Sequence, residues 1–469
     1  KSWLYHLNIY LLVEISAREL VSKLLLGTLA AARGHNVIIS SIGAIKGGLR
    51  RGVLPPGIFL DKCLTPTLES FATHKEMVNN NILISSLDEE SGILDHGYEN
   101  FAKNRYSNEL VEQSTAIFGW GDEDVDSLKQ IYPKYSSKIY KTGSPRVDLW
   151  KSQFSKNWIL PSSAPSRPYL LISSNLHTAN FAKPFYEWGG FFPYQLKENI
   201  SYYKNNPESF KKQFSKLSED NLKLASFVEA IHFLANSKND YDIILRPHPL
   251  ENIDTWKVYL RGVPNVHVIR DGNISPWVNH AFAIMHNSCT TAIEATVSGK
   301  EVITYIPFVQ NNSWGEVANE LGHCTKTLEE LSNKVDLLFN KFKSGNENNE
   351  NKKLPDTLLK KIYIDKNELA ADKIIAVWEK LAKENLLQNS SLSNFRLFLK
   401  IAKIKDFFLS MGKKVFSGKK TNLNENEKFP SLDIKKIHET IETFQNGLKI
   451  KENLDCKLLN DRTILIKKK

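Results

Sequence analysis

Tyr241-Asp242-Ile243-Ile244-Leu245 runs straight into Arg246-Pro247-His248-Pro249, and the same grammar returns further along the chain. There Ala281-Phe282-Ala283-Ile284-Met285 empties into His286-Asn287-Ser288-Cys289-Thr290-Thr291-Ala292-Ile293-Glu294-Ala295. Gly299 and a third β-rich run, Glu301-Val302-Ile303-Thr304-Tyr305-Ile306, follow, closed by Pro307. Apolar run, polar loop, short helix and apolar run make the pattern of a parallel α/β sheet. Ligands in such sheets bind at the carboxyl ends of the strands, where both polar clusters fall.

Working outward, Tyr169 to Asn175 reads as the opening strand of the same domain, with Ser174 and Asn175 at its end, and a long helix is expected near 220–235. Before it, Pro161 to Pro168 is almost wholly proline and serine, the composition of a linker. Upstream, residues 5–14 read as a buried strand. Arg18 to Arg33 reads as a helix stopped by Gly34, and Asn36 to Ser41 as a second strand. Ile9 to Val13 is followed by Glu14, Arg18 and Glu19, which does not suit a signal peptide. Ile42 to Gly48 is glycine-rich without the spacing of a phosphate-binding loop, and is expected to be a flexible loop. The expected organisation is therefore residues 1–160 and 161–386 as two Rossmann-like α/β domains, with 387–469 as a basic helical tail.

Several residue groups invite chemistry. Arg246 and His248, held between prolines at a strand end, suit an anionic phosphate through a charged fork and a proton donor. Ser288, Thr290 and Thr291 lie where a loop turns into a helix, so hydroxyls and helix N–H groups could receive the same anion, with Glu294 one turn on for ribose hydroxyls. A plain N-cap accounts for one such hydroxyl, not for three beside His286 and Asn287. Asp88-Glu89-Glu90 follows the apolar run Ile82-Leu83-Ile84. Like charges raise one another's pKa, so one of the three is a candidate general base, the alternative being a solvated turn. Ser144 and Arg146, in Thr142-Gly143-Ser144-Pro145-Arg146, form either a ligand loop or a turn. Asp122-Glu123-Asp124 has metal-binding spacing but reads as the acidic start of a helix.

The 469 residues are too many for one core, and 41% hydrophobic with 24% charged residues is an ordinary globular balance. A formal charge of +10 points to an anionic partner, a nucleic acid, a nucleotide or a membrane surface. Cys63, Cys289, Cys324 and Cys456 are scattered without metal spacing, the usage of a reduced cytoplasmic protein with no metal site. In the tail, Leu397, Ile401, Ile404 and Phe408 flank a helix. Arg396, Lys400, Lys403, Lys405, Lys413, Lys414, Lys419 and Lys420 meet only Asp406 as an acid over 396–420. A basic amphipathic helix either lies on an anionic membrane surface or docks on the domains with its lysines in water.

The run from Arg246-Pro247-His248-Pro249 through His286–Ala295 to Pro307 resembles bacterial surface-carbohydrate glycosyltransferases of the GT-B fold, related to CMP-Kdo and CMP-sialic-acid-type transferases. Arg18-Glu19-Leu20, Arg33-Gly34-His35, Ile58 to Lys62 and Leu87 to Glu90 extend the resemblance over about residues 8–310. It implies two facing Rossmann-like domains, with donor in the second and acceptor in the first. The implied reaction transfers an ulosonic sugar from a CMP donor to a glycan or glycolipid. No cofactor or nucleic acid is expected, and no metal is needed if Arg246, His248 and the helix N-terminus neutralise the phosphate, although the Asp122-Glu123-Asp124 spacing keeps a metal open. The basic tail is expected to hold the protein at the inner face of the cytoplasmic membrane. By resemblance the base falls on Asp88, Glu89 or Glu90, the phosphate contact on His248, and its hydroxyl support on Ser288 with Thr290 or Thr291. Ser91 separates the acids from Gly92, so which carboxylate is the base stays open. A teichoic-acid-type polyol-phosphate transferase and a sugar-nucleotide epimerase share the same fold and are the alternatives.

Overall fold

The computed structural model describes all residues except 1–5, 94–97, 183–206, 238–239, 311–315, 346–353, 366, 388–389 and 404–427. It divides into two compact units, one of residues 1–157 with 359–469, the other of residues 158–358.

In the first unit the strands are β1 (Asn8–Leu12), β2 (Asn36–Ser40), β3 (Gly57–Asp61), β4 (Ile82–Leu87), β5 (Ala116–Gly119) and β6 (Ile139–Lys141). All six are parallel, in the order β2-β1-β3-β4-β5-β6. Their continuous apolar character reflects burial on both faces by the crossing helices. The order reverses between β1 and β3, which makes that pair a topological switch point.

The second unit carries β7 (Tyr169–Ser173), β8 (Asp242–Arg246), β9 (Val266–Val268), β10 (Ala283–His286), β11 (Val302–Tyr305) and β12 (His323–Thr325). These are parallel in the order β12-β11-β10-β7-β8-β9, so the switch point lies between β7 and β10. The core beneath them includes Ile172, Phe227, Ile231, Leu245, Trp256, Met285 and Ile303. The helix expected near 220–235 is longer, Pro207–Ser237. Fold class is thus as expected: α/β, with two Rossmann-like parallel sheets of the kind that make up a GT-B protein, and a helical element in the C-terminal part.

Three sequence expectations differ from the structure. The segment 42–48 is not a loop; Ile42–Arg50 is a helix. Its glycines let other side chains approach, because a Cβ on Gly48 would stand 2.6 Å from Phe395 and one on Gly47 2.9 Å from Phe398. Residues 359–386, assigned to the second domain, belong to the first unit. Helix Ala370–Glu384 buries Ala371, Ile374, Ile375 and Trp378, and the Trp378 indole donates to Ser85 Oγ on β4 at 3.0 Å.

Nor is 387–469 a separate helical tail. Phe395 and Leu399 are buried in the first core, helix Ile434–Gly447 follows, and β13 (Leu454–Asn460) and β14 (Thr463–Lys468) form a hairpin. β14 adds to the sheet antiparallel to β2, with Ile464 opposite Ile39. Unpaired backbone on the β2 edge would otherwise meet water or another chain, and the hairpin covers it. Of the proposed membrane-facing stripe, Ile404 and Phe408 lie outside the described residues, as do Lys405, Asp406, Lys413, Lys414, Lys419 and Lys420.

Candidate functional site

At the second switch point, adjacent parallel strands deliver their polar ends to one place. Asn175, past β7, donates to the carbonyl of Ser288, past β10, at 3.3 Å, and Ser173 Oγ lies 3.1 Å from Thr291 Oγ1. Ser288 sits at φ +58, a left-handed conformation costly for a residue with a Cβ. It is held there by Asn319, whose Oδ1 accepts from Ser288 N at 2.7 Å and whose amide donates to Ser288 Oγ at 3.1 Å. Ser288 Oγ donates to Asn287 Oδ1 at 2.9 Å, and Gln310 donates to the same oxygen. Lys223, buried on helix Pro207–Ser237, reaches Ser288 Oγ at 3.4 Å.

Next to this pair, the β8 loop is organised by Glu251, which is fully buried. Its Oε1 accepts from Ser174 Oγ at 2.9 Å, Leu176 N at 3.0 Å and His248 N at 3.1 Å, and its Oε2 accepts from Trp256 Nε1 at 2.8 Å. One carboxylate thereby ties the ends of β7 and β8 together. The ring of His248 lies 5.4 Å from that of His177. Leu250 N donates to His248 Nδ1, so the neutral ring carries its proton on Nε2. Burial pushes both imidazoles down to about 4, aided at His177 by His248 and at His248 by Arg270. Lys216 Nζ donates to Thr178 Oγ1 at 3.0 Å beside His177.

Other residues singled out from the sequence have different surroundings. Arg246 donates to the carbonyls of Asp271 and Gly272 at 2.7 and 2.9 Å and covers the Trp277 ring at 5.0 Å. Burial brings its guanidinium down to about 10. Its fork fastens β8 to the 271–272 turn. His286 is fully buried and pushed down to about 3; its Nδ1 accepts from Cys289 N, and Nε2 donates to Thr304 Oγ1 at 3.0 Å. Thr304 in turn donates to the Leu321 carbonyl, which fixes that tautomer. Thr290 is exposed at the start of helix Thr291–Val297, on which Glu294 is buried. The structure thus brings together Ser174, Asn175, His248, Asn287 and Ser288, and gives Arg246 and His286 loop-holding partners.

In the first unit, Asp88, Glu89 and Glu90 leave β4 into a set of alternating charges. Asp88 is buried and met by Arg105 through Nε at 3.1 Å and Nη2 at 3.2 Å. Burial raises its pKa, with Arg105 opposing. Glu89, also buried, accepts from Lys23 at 2.6 Å, and its carbonyl accepts from Arg146 at 3.4 Å. Glu90 is the solvent-reachable member, its side chain 42% exposed, paired with Arg18 at 2.8 Å and Arg105 at 3.3 Å. Glu19 completes the set, bonded to Arg18 and accepting from Glu14 N; burial raises its pKa, and the charge on Glu89 adds to that.

Ser144 is buried and caps the short helix Pro145–Asp148, accepting from Arg146 N. Asp124 caps helix Asp122–Ile131 through Trp120 N and Gly121 N; burial lifts its carboxyl to about 6. Lys141 and Lys361 pair with Asp122 and Glu123.

The sequence reading missed His177, Lys223 and Glu251 as site residues, and took Glu19 only as part of the resemblance at Arg18-Glu19-Leu20. A signal existed for two of them: His177 follows Ser174-Asn175, and Glu251 follows Pro247-His248-Pro249. Lys223 carries none, since a lysine in a helix reads as solvated until the helix is docked.

Fold and site together define an α/β protein of two Rossmann-like units, each with polar residues gathered at strand carboxyl ends. No protein-family model matches the chain, and no curated protein matches it. Among solved structures, the chain is similar to a Listeria monocytogenes protein assigned as a UDP-N-acetylglucosamine 2-epimerase, at 13% identity over 81% of this chain and 97% of that one, TM-score 0.48. It is similar to the wall teichoic acid polymerase TagF at 11% identity over 81% and 90%, TM-score 0.45. A glycosyltransferase from Rickettsia africae aligns at 11% identity over 88% and 100%, TM-score 0.38.

Proposed function

We propose that the chain is a glycosyltransferase that takes an ulosonic sugar from a CMP donor and passes it to a surface glycan or glycolipid. The observation that carries this reading is the convergence at the β7/β10 switch point: Asn175, Ser288 and Lys223 on one side, His177 and His248 on the other. Hydroxyl, amide, ammonium and imidazole N–H groups are the donors a phosphate needs. Lys216 and Lys223 are already paired with Asp220 and Glu219, so little net positive charge is left. That balance suits the single phosphodiester charge of a CMP-linked donor better than the two phosphate charges of a diphosphate. Two neighbouring imidazoles with depressed pKa values are poised to gain protons when an anion arrives.

In this reading the first unit supplies the proton acceptor. Glu90 is the carboxylate that an acceptor hydroxyl can reach; Asp88 and Glu89 are buried and set the field around it. Arg18 and Arg105 orient Glu90.

The protein works on an anionic membrane surface, at the cytoplasmic face, through the helix over residues 393–403. Among the described residues no helix is long and apolar enough to cross a membrane. On this one, Leu397 and Ile401 are 58% and 56% exposed beside Arg396 and Lys400, while Phe395 and Leu399 anchor it to the first unit.

Thermal shift with CMP, CDP, UDP and GDP tests the nucleotide. CMP is expected to stabilise the protein most, and His248→Ala to remove that stabilisation with the far-ultraviolet spectrum unchanged. A larger shift with CDP favours polyol-phosphate transfer, and one with UDP favours epimerisation; either result sinks the CMP reading.

A further inference from the structure

A cavity of about 590 Å³ opens in the first unit at the carboxyl ends of β1 and β3, where the strand order reverses. Small-molecule sites commonly span ~300–1,000 Å³ and favour this position in open α/β sheets. Leu12 and Phe59 give it apolar wall. Five cations and three carboxylates line it. Lys46 pairs with Glu69, and Lys62 and Lys428 both meet Glu14, so the lining as a whole carries more cations than carboxylates; among them Arg50 and Arg462 come from two distant parts of the chain. Arg462 sits in the turn of the C-terminal hairpin, so the segment that completes the sheet also builds the cavity.

A second, independent feature points to a ligand. His74 lines the cavity and is buried; its Nε2 meets Asp61 at 2.8 Å, but its Nδ1 has no hydrogen-bond partner among the described residues. A buried ring nitrogen without a partner is costly unless water or a ligand supplies one. The cavity also abuts the carboxylate cluster. The backbone carbonyl of Lys62, on its wall, accepts from Glu89 N at 3.3 Å, and Glu14 N donates to Glu19 Oε2 at 2.8 Å.

We infer that this cavity receives the acceptor, and that the acceptor is an anionic sugar whose acid group is neutralised by Arg50 and Arg462 while its apolar ring face lies on Leu12 and Phe59. The acid could be a carboxylate or a phosphate; the cationic lining serves both. Arg462 is then a specificity-determining residue contributed by the C-terminal hairpin. The inference rests on the transferase reading for what happens to the bound sugar, but not for the binding itself.

Calorimetric titration of the full chain with glucuronate, glucose 6-phosphate and glucose tests it. At least one of the two anions is expected to bind ~10-fold or more tighter than glucose, the scale of one hydrogen bond to a charged group. Which anion binds identifies the acid. Arg50→Gln and Arg462→Gln should each weaken that anion by ~10-fold and leave CMP binding unchanged. Arg50 is exposed, so its variant keeps the test valid if the hairpin variant fails to fold. Equal affinity for all three sugars, or an anion affinity indifferent to Arg50→Gln, overturns the inference. CMP binding, measured on the same protein, separates the two failures: its absence sinks the transferase reading and leaves the cavity to be judged on the sugars alone.

Discussion

Replacing Glu251 separates a carboxylate that organises the candidate phosphate site from one that merely fills space. In Glu251→Gln the amide oxygen can keep the Oε1 bonds to Ser174 Oγ, Leu176 N and His248 N, but the NH2 group then faces the Trp256 N–H, donor against donor. Losing one buried hydrogen bond to a charged acceptor costs about 1–3 kcal/mol. Glu251→Ala strands all four donors in a fully buried place, and breaking such a charged network costs about 3–5 kcal/mol. Hydrogen exchange reads this at the bonded amides themselves. Protection at Leu176 and His248 should fall by roughly 5- to 150-fold in the Gln variant and further in the Ala variant. Amides of β1 to β5, in the other unit, should stay unchanged. CMP stabilisation should weaken along the same series, because the loop that carries His248 is loosened when the Trp256 bond goes and loses its backbone tether in the Ala variant. If the Ala variant keeps parental protection at both amides, within ~0.5 kcal/mol, Glu251 does not hold these loops and the geometry drawn for the site is wrong.

Three further expectations follow from the same geometry. His177 and His248 titrate near 4 in the folded protein against 6.5 for the free side chain, so the unfolded chain binds more protons between those values. Their contribution to stability is therefore present above about pH 6.5 and is lost as pH falls toward 4. CMP binding at pH 5.5 should then take up protons, seen in calorimetry as a dependence on buffer ionisation enthalpy; no uptake would remove both imidazoles from the phosphate. Glu90→Gln should retain CMP binding yet slow transfer by ~100-fold or more, the usual loss when a general base is removed; near-parental turnover makes the acidic run a structural turn. Leu397→Ser with Ile401→Ser should abolish binding to vesicles containing anionic lipid, and salt should weaken binding by the parent. Undiminished vesicle binding by the double variant refutes the membrane role of this helix. Point variants are the right probe, because truncation at residue 386 would also strip the hairpin from β2.

The sequence alone determined the local grammar. Apolar runs such as Ile243-Ile244-Leu245 and Ala283-Ile284-Met285, each ending in polar residues, are periodic over a few positions, and that period is enough to declare buried parallel strands with ligand groups at their ends. It likewise marked Asp88-Glu89-Glu90, His248 and Ser288 as unusual for their positions. What each polar residue does was decided by its neighbours in space. Arg246 and His286 look as available in sequence as His248, yet carbonyls of residues 271–272 and the Thr304 hydroxyl claim them. Lys223 and Asn319 enter the site from separate stretches of chain, and nothing in their own surroundings announces it. The same holds for the C-terminal third. Gly47 and Gly48 read as a loop until Phe395 and Phe398 arrive against them, and Thr463–Lys468 reads as a tail until β2 offers it an edge. Periodicity is a property of contiguous residues, whereas hydrogen-bond partners and packing surfaces are supplied by whatever the fold brings near.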